Sequence, residues 1–99
     1  VLITDIKLVE KWAEERNLIE GSNPQAQMLK LLEETGELAS GIAKNNREVI
    51  VDSIGDVLIV LTILCKQLNI DMLEAYHTAY LEIKDRSGKM VNGIFIKGG

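Results

Sequence analysis

The sequence has no excess of positive charge, no second cysteine, no internal repeat and no long uninterrupted apolar run. Each absence excludes a class of protein. The 99 residues carry a net charge of −4, so there is no counterion release to drive binding to a nucleic-acid backbone. A phosphate-rich partner would have to be bridged by a cation. Cys65 cannot form an internal disulfide and has no Cys or His neighbour at metal-ligand spacing. It reads as a small buried hydrophobe in a reducing, cytoplasmic setting. No basic segment followed by an apolar stretch marks a secretory leader. The apolar run from Val49 to Cys65 is broken by Asp52, Ser53, Gly55 and Asp56, leaving it short of the ~20 residues that cross a bilayer. With no linker or low-complexity segment, residues 1–99 read as a single domain.

What is present has helical spacing. Thr4 or Asp5 can cap a first helix with Leu8, Val9, Trp12 and Ala13 as its apolar stripe. Gly21-Ser22-Asn23-Pro24 breaks the chain, and Asn23 before Pro24 is a strong helix start. A second helix from Pro24 to Lys44 places Met28, Leu31, Leu32, Thr35, Leu38, Ala39 and Ile42 on a buried face. After Asn45-Asn46, a third runs from Arg47 to Leu68. A fourth opens at Asp71, with Glu74 completing a capping box, and reaches about Arg86. Asn92-Gly93 between Met90-Val91 and Ile94-Phe95 has the form of a tight β-hairpin turn. The fold class is therefore all-α: a four-helix bundle with a short C-terminal tail or hairpin. The third helix is apolar on every face, and such a helix must be buried all round. Three other helices in so short a chain cannot cover it, so a second copy is expected to do so, making a homo-oligomer.

The acids are the functional signal. Glu34 and Glu37 stand three apart, Glu33 and Glu37 four apart, and both pairs share a helix surface away from the Met28/Leu31/Leu38 stripe. Asp52 and Asp56 share a face of the third helix, where apolar surroundings would deny them water. Two opposed carboxylate pairs suit a hard, oxygen-seeking cation such as Mg²⁺, with Mn²⁺ an alternative. A solvated face paired with Lys30 and Lys44 is the competing account of the glutamates. His77, on a polar part of the fourth helix, reads as a surface or packing residue.

The stretch Leu31-Leu32-Glu33-Glu34-Thr35-Gly36-Glu37-Leu38-Ala39, followed after a turn by Ile54-Gly55-Asp56-Val57-Leu58, resembles the MazG-like all-α nucleoside triphosphate pyrophosphohydrolases, and within them the short phage and prophage members. The likeness extends from about Gln25 to Arg86. It implies an obligate dimer or tetramer, Mg²⁺ dependence, and cleavage of an NTP or dNTP to the monophosphate and pyrophosphate. Glu34, Glu37 and Asp56 match the metal ligands, with Glu33 an added ligand or water-orienting base and Glu37 the other candidate base. The family's second motif has Glu three residues before its Asp; here Ser53 stands there, and Asp52 is the expected substitute. The family's Asn-x-Lys pattern is replaced by Tyr80 to Arg86, where Lys84 and Arg86 either contact phosphate or complement the helix dipole. Lys30 joins them as a phosphate-side cation, Trp12 either stacks on the base or belongs to the core, and Gln25 and Gln27 can reach a base edge. Neither nucleic acid nor membrane is an expected partner. The competing functions are a metal- or nucleotide-binding oligomeric module whose second motif has decayed at Ser53, and a plain helical scaffold.

Overall fold

The computed structural model describes residues 1–98. Four helices, α1 (Leu2–Glu15), α2 (Pro24–Ala43), α3 (Arg47–Gln67) and α4 (Met72–Ile83), precede a hairpin of β1 (Gly88–Val91) and β2 (Ile94–Lys97). The all-α architecture with a terminal hairpin is the one expected.

Starts and stops follow local chemistry. Asn23, Asn46 and Asp71 cap α2, α3 and α4, each side chain accepting from a backbone N–H three residues on. Helix α1 begins earlier than Thr4 or Asp5: Val1 precedes it without a side-chain cap, so neither residue has the capping role. Three helices stop in the same way. Asn17, Asn45 and Asn69 adopt positive φ of 58°, 52° and 56°. The following N–H groups of Leu18, Asn46 and Ile70 return to the carbonyls of Ala13, Gly41 and Cys65, as in a Schellman closure with asparagine in glycine's place. Asn46 both closes α2 and caps α3, which forces the two helices into an antiparallel hairpin.

Helix α3 is central: among the described residues it approaches α1, α2 and α4, which do not approach one another. Gln67 ties the turn after α1 to it, its Nε2 donating to the carbonyls of Leu18 and Ile19 at 3.2 and 3.3 Å. On the other side Thr62 Oγ1 lies 3.8 Å from Met72 Sδ of α4. The strands pair antiparallel, Met90 opposite Phe95 and Val91 opposite Ile94. Asn92 and Gly93, both at positive φ, make the turn that suits a two-residue hairpin. The hairpin approaches no helix among the described residues.

The hydrophobic core is thin: Ala13, Val60 and Ile63 are its buried members. The radius of gyration is 16.1 Å, against about 13 Å for a compact chain of this length. The expectation that α3 is enclosed on every face is not met within one chain, because Val51, Ile54 and Leu58 stand 46–57% exposed. Cys65 is half-buried rather than enclosed.

Candidate metal and nucleotide site

The expected buried face of α2 is rotated by one residue. The residues turned inward are Gln27, Leu31, Glu34, Leu38 and Gly41, spaced alternately four and three, while Met28, Leu32, Thr35, Ala39 and Ile42 are exposed. Such spacing is the seam of two packed helices. On α3 the matching seam is Ile50, Ser53, Val57, Val60, Leu64 and Gln67, all buried or half-buried. Gly41 sets the register and the closeness, since a Cβ there would lie 3.0 Å from Val49 Cγ1 and 3.3 Å from Ile50 Cγ1. Counting equal steps along two antiparallel helices from that contact places Leu38 level with Ser53 and Glu34 level with Val57.

Glu34 thus belongs to the interhelical seam, not to a surface away from it. Its side chain is 7% exposed, and the Lys30 ammonium lies 3.2 Å from its Oε1 and 3.5 Å from Glu33 Oε1. Its Oε2 is shut off from solvent without a hydrogen-bond partner. A buried carboxylate normally has all its acceptor sites engaged, so Glu34 Oε2 is open to a further donor or cation, a protonated Glu37 among them. Glu37, one turn on and exposed, has its carboxyl held above the ordinary range. The chief cause is the Glu34 charge, followed by the hydrogen bond a protonated Glu37 can give Glu34. Lys30 is pushed up in turn, first by its bond to Glu34 and then by the Glu33 and Glu34 charges.

The α3 acids are placed differently from the expectation. Asp52 and Asp56 are exposed, while Ser53 between them is 2% exposed and faces α2. They escape the apolar surroundings because the packed seam covers only part of α3. Every charge that perturbs Glu37 lies on α2, and among the described residues no three His, Cys, Asp or Glu side chains come close enough to hold a metal ion. The two acidic groups nevertheless flank one side of the helix pair. In antiparallel helices joined along the Glu34 and Val57 seam, helical periodicity turns Glu33 and Glu37 to the same side as Asp52 and Asp56. The apolar residues Met28, Leu32 and Ile42 then share the opposite side with Val51, Ile54 and Leu58.

Trp12 is 43% exposed rather than a core residue. It lines an apolar pocket of about 340 Å³ with Leu8, Val9 and Ile59, and the Arg16 guanidinium sits 4.6 Å from its ring centre. Ile59 lies one turn beyond Asp56 on the acidic side of α3, a signal available in the spacing but not used by the motif. Gln25 is exposed, whereas Gln27 is buried and donates to Ser22 Oγ at 3.0 Å, which removes it from the base-edge candidates. Lys84 and Arg86 are exposed beyond α4; α4 does not approach α2, so they are not brought to the acids. His77 is exposed, its ring tilted toward Tyr80 at 6.4 Å. A cavity of about 480 Å³ between α1, α3 and α4 contains Cys65, whose thiol is pushed up by burial and then by Asp71. A thiol so shifted is a poor nucleophile.

The profile of the MazG nucleotide pyrophosphohydrolase domain matches residues 22–91. The chain belongs to this family. The match takes in α2, α3 and α4, hence both acidic segments. An uncharacterized 18.2 kDa protein from the rep-hol intergenic region of Haemophilus phage HP1 is 61% identical over 66 residues. The match covers 67% of this chain and 40% of the phage protein, so the chain spans less than half the length of that relative. No solved structure matches the chain. Among the described residues no helix is long and apolar enough to cross a membrane.

The MazG seam has a consequence for stability that can be measured in a chelator. A carboxyl with a raised pKa in the fold favours folding at low pH, and that contribution is lost as pH rises through the folded-state value. Glu37 therefore weakens the fold at neutral pH. Glu37→Gln is expected to raise the melting temperature at pH 7 in EDTA, and the gain should vanish below the carboxylate range. An equal gain at both pH values would remove Glu37 ionisation as its cause.

Proposed function

We propose that this MazG domain, read as the single domain of residues 1–99, is a Mg²⁺-dependent pyrophosphohydrolase, with Mn²⁺ as an alternative ion. It cleaves an NTP or dNTP to the monophosphate and pyrophosphate. The observation that carries the reading is Glu34: a carboxylate in a packed seam, one oxygen unpartnered, beside Glu37 and on the side of the helix pair that also bears Asp52 and Asp56. An all-oxygen, all-anionic donor set fits a hard divalent cation. Glu34 and Glu37 would hold it with water, and side-chain movement would bring Asp56 to it, with Asp52 taking the place vacated at Ser53, since no three acids among the described residues stand within reach of one ion. When bound, such an ion neutralises charge on the leaving pyrophosphate and lowers the pKa of water.

The chain's own residues do the rest. Glu33 or Glu37 accepts the proton of the water that attacks the α-phosphorus. Lys30 meets phosphate, and Lys84 and Arg86 do so from a second copy or after movement of the segment following α4. Trp12 and Ile59 receive the base, which stacks on the indole, while Gln25 can address its edge. A homodimer or homotetramer covers the apolar side of α2 and α3. The domain's setting would be the cytoplasm, with neither nucleic acid nor membrane as partner.

The deciding experiment incubates the protein with each NTP and dNTP in Mg²⁺ and separates the products by ion exchange. Monophosphate and pyrophosphate are expected, whereas orthophosphate release would refute the assignment. A second reading is favoured by one observation: Ser53 is buried in the seam where the family places a carboxylate. On that reading the domain binds metal and nucleotide without turnover. Metal-dependent nucleotide binding with no product would select it.

A further inference from the structure

We infer that the free edge of β2 is a docking surface for a second copy of this chain. The two β2 strands pair antiparallel about Phe95 and join two hairpins into one four-stranded sheet. The inference concerns the hairpin and does not depend on the catalytic reading. A two-stranded ribbon is marginal in water and needs further strands or a packed face. This one approaches no helix among the described residues, and Met90, Val91, Ile94, Phe95 and Ile96 stand 41–65% exposed.

The ladder fixes which backbone groups are already engaged. The Gly98 N–H donates to the Ser87 carbonyl at 2.7 Å, and the Ile96 carbonyl oxygen faces Gly88 on β1. Antiparallel pairs alternate between bonded and non-bonded. In the observed register, Lys89 with Ile96 and Val91 with Ile94 are therefore the bonded pairs. Phe95 and Lys97 on β2, like Gly88 and Met90 on β1, turn their N–H and C=O groups outward. The two edges are unequal. Lys89 stands within β1, and a lysine on an edge strand discourages pairing. Between Ile94 and Ile96, β2 carries no charge and has the residue types that suit a sheet.

A second β2 satisfies that edge in one register. With Phe95 of one copy opposite Phe95 of the other, each gives an N–H and accepts at its carbonyl. Lys97 then falls level with Gly93, so no two cations meet. Ile94 falls opposite Ile96 as a close, non-bonded pair. An acidic or basic strand would find no counter-charge along this edge, whereas β2 itself matches it residue for residue. Val91, Ile94 and Ile96 of both copies come to lie on one face of the sheet. Strands of four residues bury less than a stable interface needs, so the pairing is weak by itself and populated at millimolar protein.

The test is solution NMR on the wild-type chain at millimolar concentration, with isotope-labelled and unlabelled copies mixed. The Phe95 N–H is expected to exchange about tenfold more slowly than the Met90 N–H on the opposite edge. A contact between the Ile94 Hα of one copy and the Ile96 Hα of another is expected with it. Equal exchange at Phe95 and Met90 overturns the inference. So does protection of Phe95 without that contact, the outcome for a hairpin packed on helices or held by another strand. The Phe95 ring covers Gly88, so the variant is made at Lys97 instead. Lys97→Pro removes an outward N–H that the hairpin does not use, and Lys97→Ala removes the charge alone. Phe95 protection is expected to be lost in Lys97→Pro and kept in Lys97→Ala. Wild-type protection in Lys97→Pro also overturns the inference.

Discussion

Glu37→Gln and Asp56→Asn are each expected to lower turnover by about a hundredfold or more, because a metal that stabilises transition-state charge contributes several kcal/mol. Neither change should unfold the protein. Both side chains are exposed, and an amide of the same shape needs no new space. Glutamine at position 37 also removes a charge that Glu34 already disfavours. Helical content and melting temperature in EDTA would thus be kept or improved while product formation falls. Asp52→Asn separates two versions of the site. A loss comparable to that of Asp56→Asn would show that Asp52 replaces the family's missing glutamate. Unchanged turnover would assign the site to Glu34, Glu37 and Asp56 and leave the vacated position unfilled at Ser53. Wild-type turnover in Glu37→Gln or Asp56→Asn would remove those residues from the site.

The second large effect concerns the apolar side of the helix pair. Met28, Leu32 and Ile42 on α2 and Val51, Ile54 and Leu58 on α3 stand 44–61% exposed. Covering each would contribute roughly 1 kcal/mol. Together they amount to about as much as the three buried hydrophobic residues of the isolated chain supply. Leu58→Lys tests whether a second copy covers them. On an isolated chain an exposed substitution of this kind changes stability by about 0.5 kcal/mol or less. Inside an interface it would bury an unpaired ammonium. The expected outcome is a fall in mass to the monomer by light scattering, a melting temperature lower by about 10 °C or more, and lost turnover. A Leu58→Lys protein with the mass and melting temperature of the wild type would show that this side faces water. The mass of the wild type itself decides between dimer and tetramer.

Where sequence and structure agree, the signals were local. Asn23-Pro24, Asp71 with Glu74 and Asn92-Gly93 each act within a few residues, and each marks the boundary or turn it was expected to mark. Asn17 and Asn69 end helices by the same backbone closure as Asn45, although asparagine at positive φ is a weaker signal than glycine. The face of α2 was misread because hydrophobicity was taken as the measure of burial. The chain packs α2 on α3 through Gly41 and Glu34 and leaves Met28, Leu32 and Ile42 outside. In one chain, apolar periodicity does not distinguish a face that packs on the same molecule from one available to another.

The acidic helices were legible from residue spacing because carboxylates three and four apart on a helix must share a surface. That argument reached no further than each helix alone. By itself the sequence determined that the chain is helical, where three of its four helices begin, and that Glu33, Glu34 and Glu37 lie on one helix and Asp52 and Asp56 on the next. Only the tertiary structure decided that these residues are unequal. Gly41 against Val49 and Ile50 sets the interhelical register, which draws Glu34 into the seam beside Lys30 and leaves Asp52 and Asp56 in water. Burial depends on what the opposite helix presents at the same level, and spacing along one helix carries no information about that.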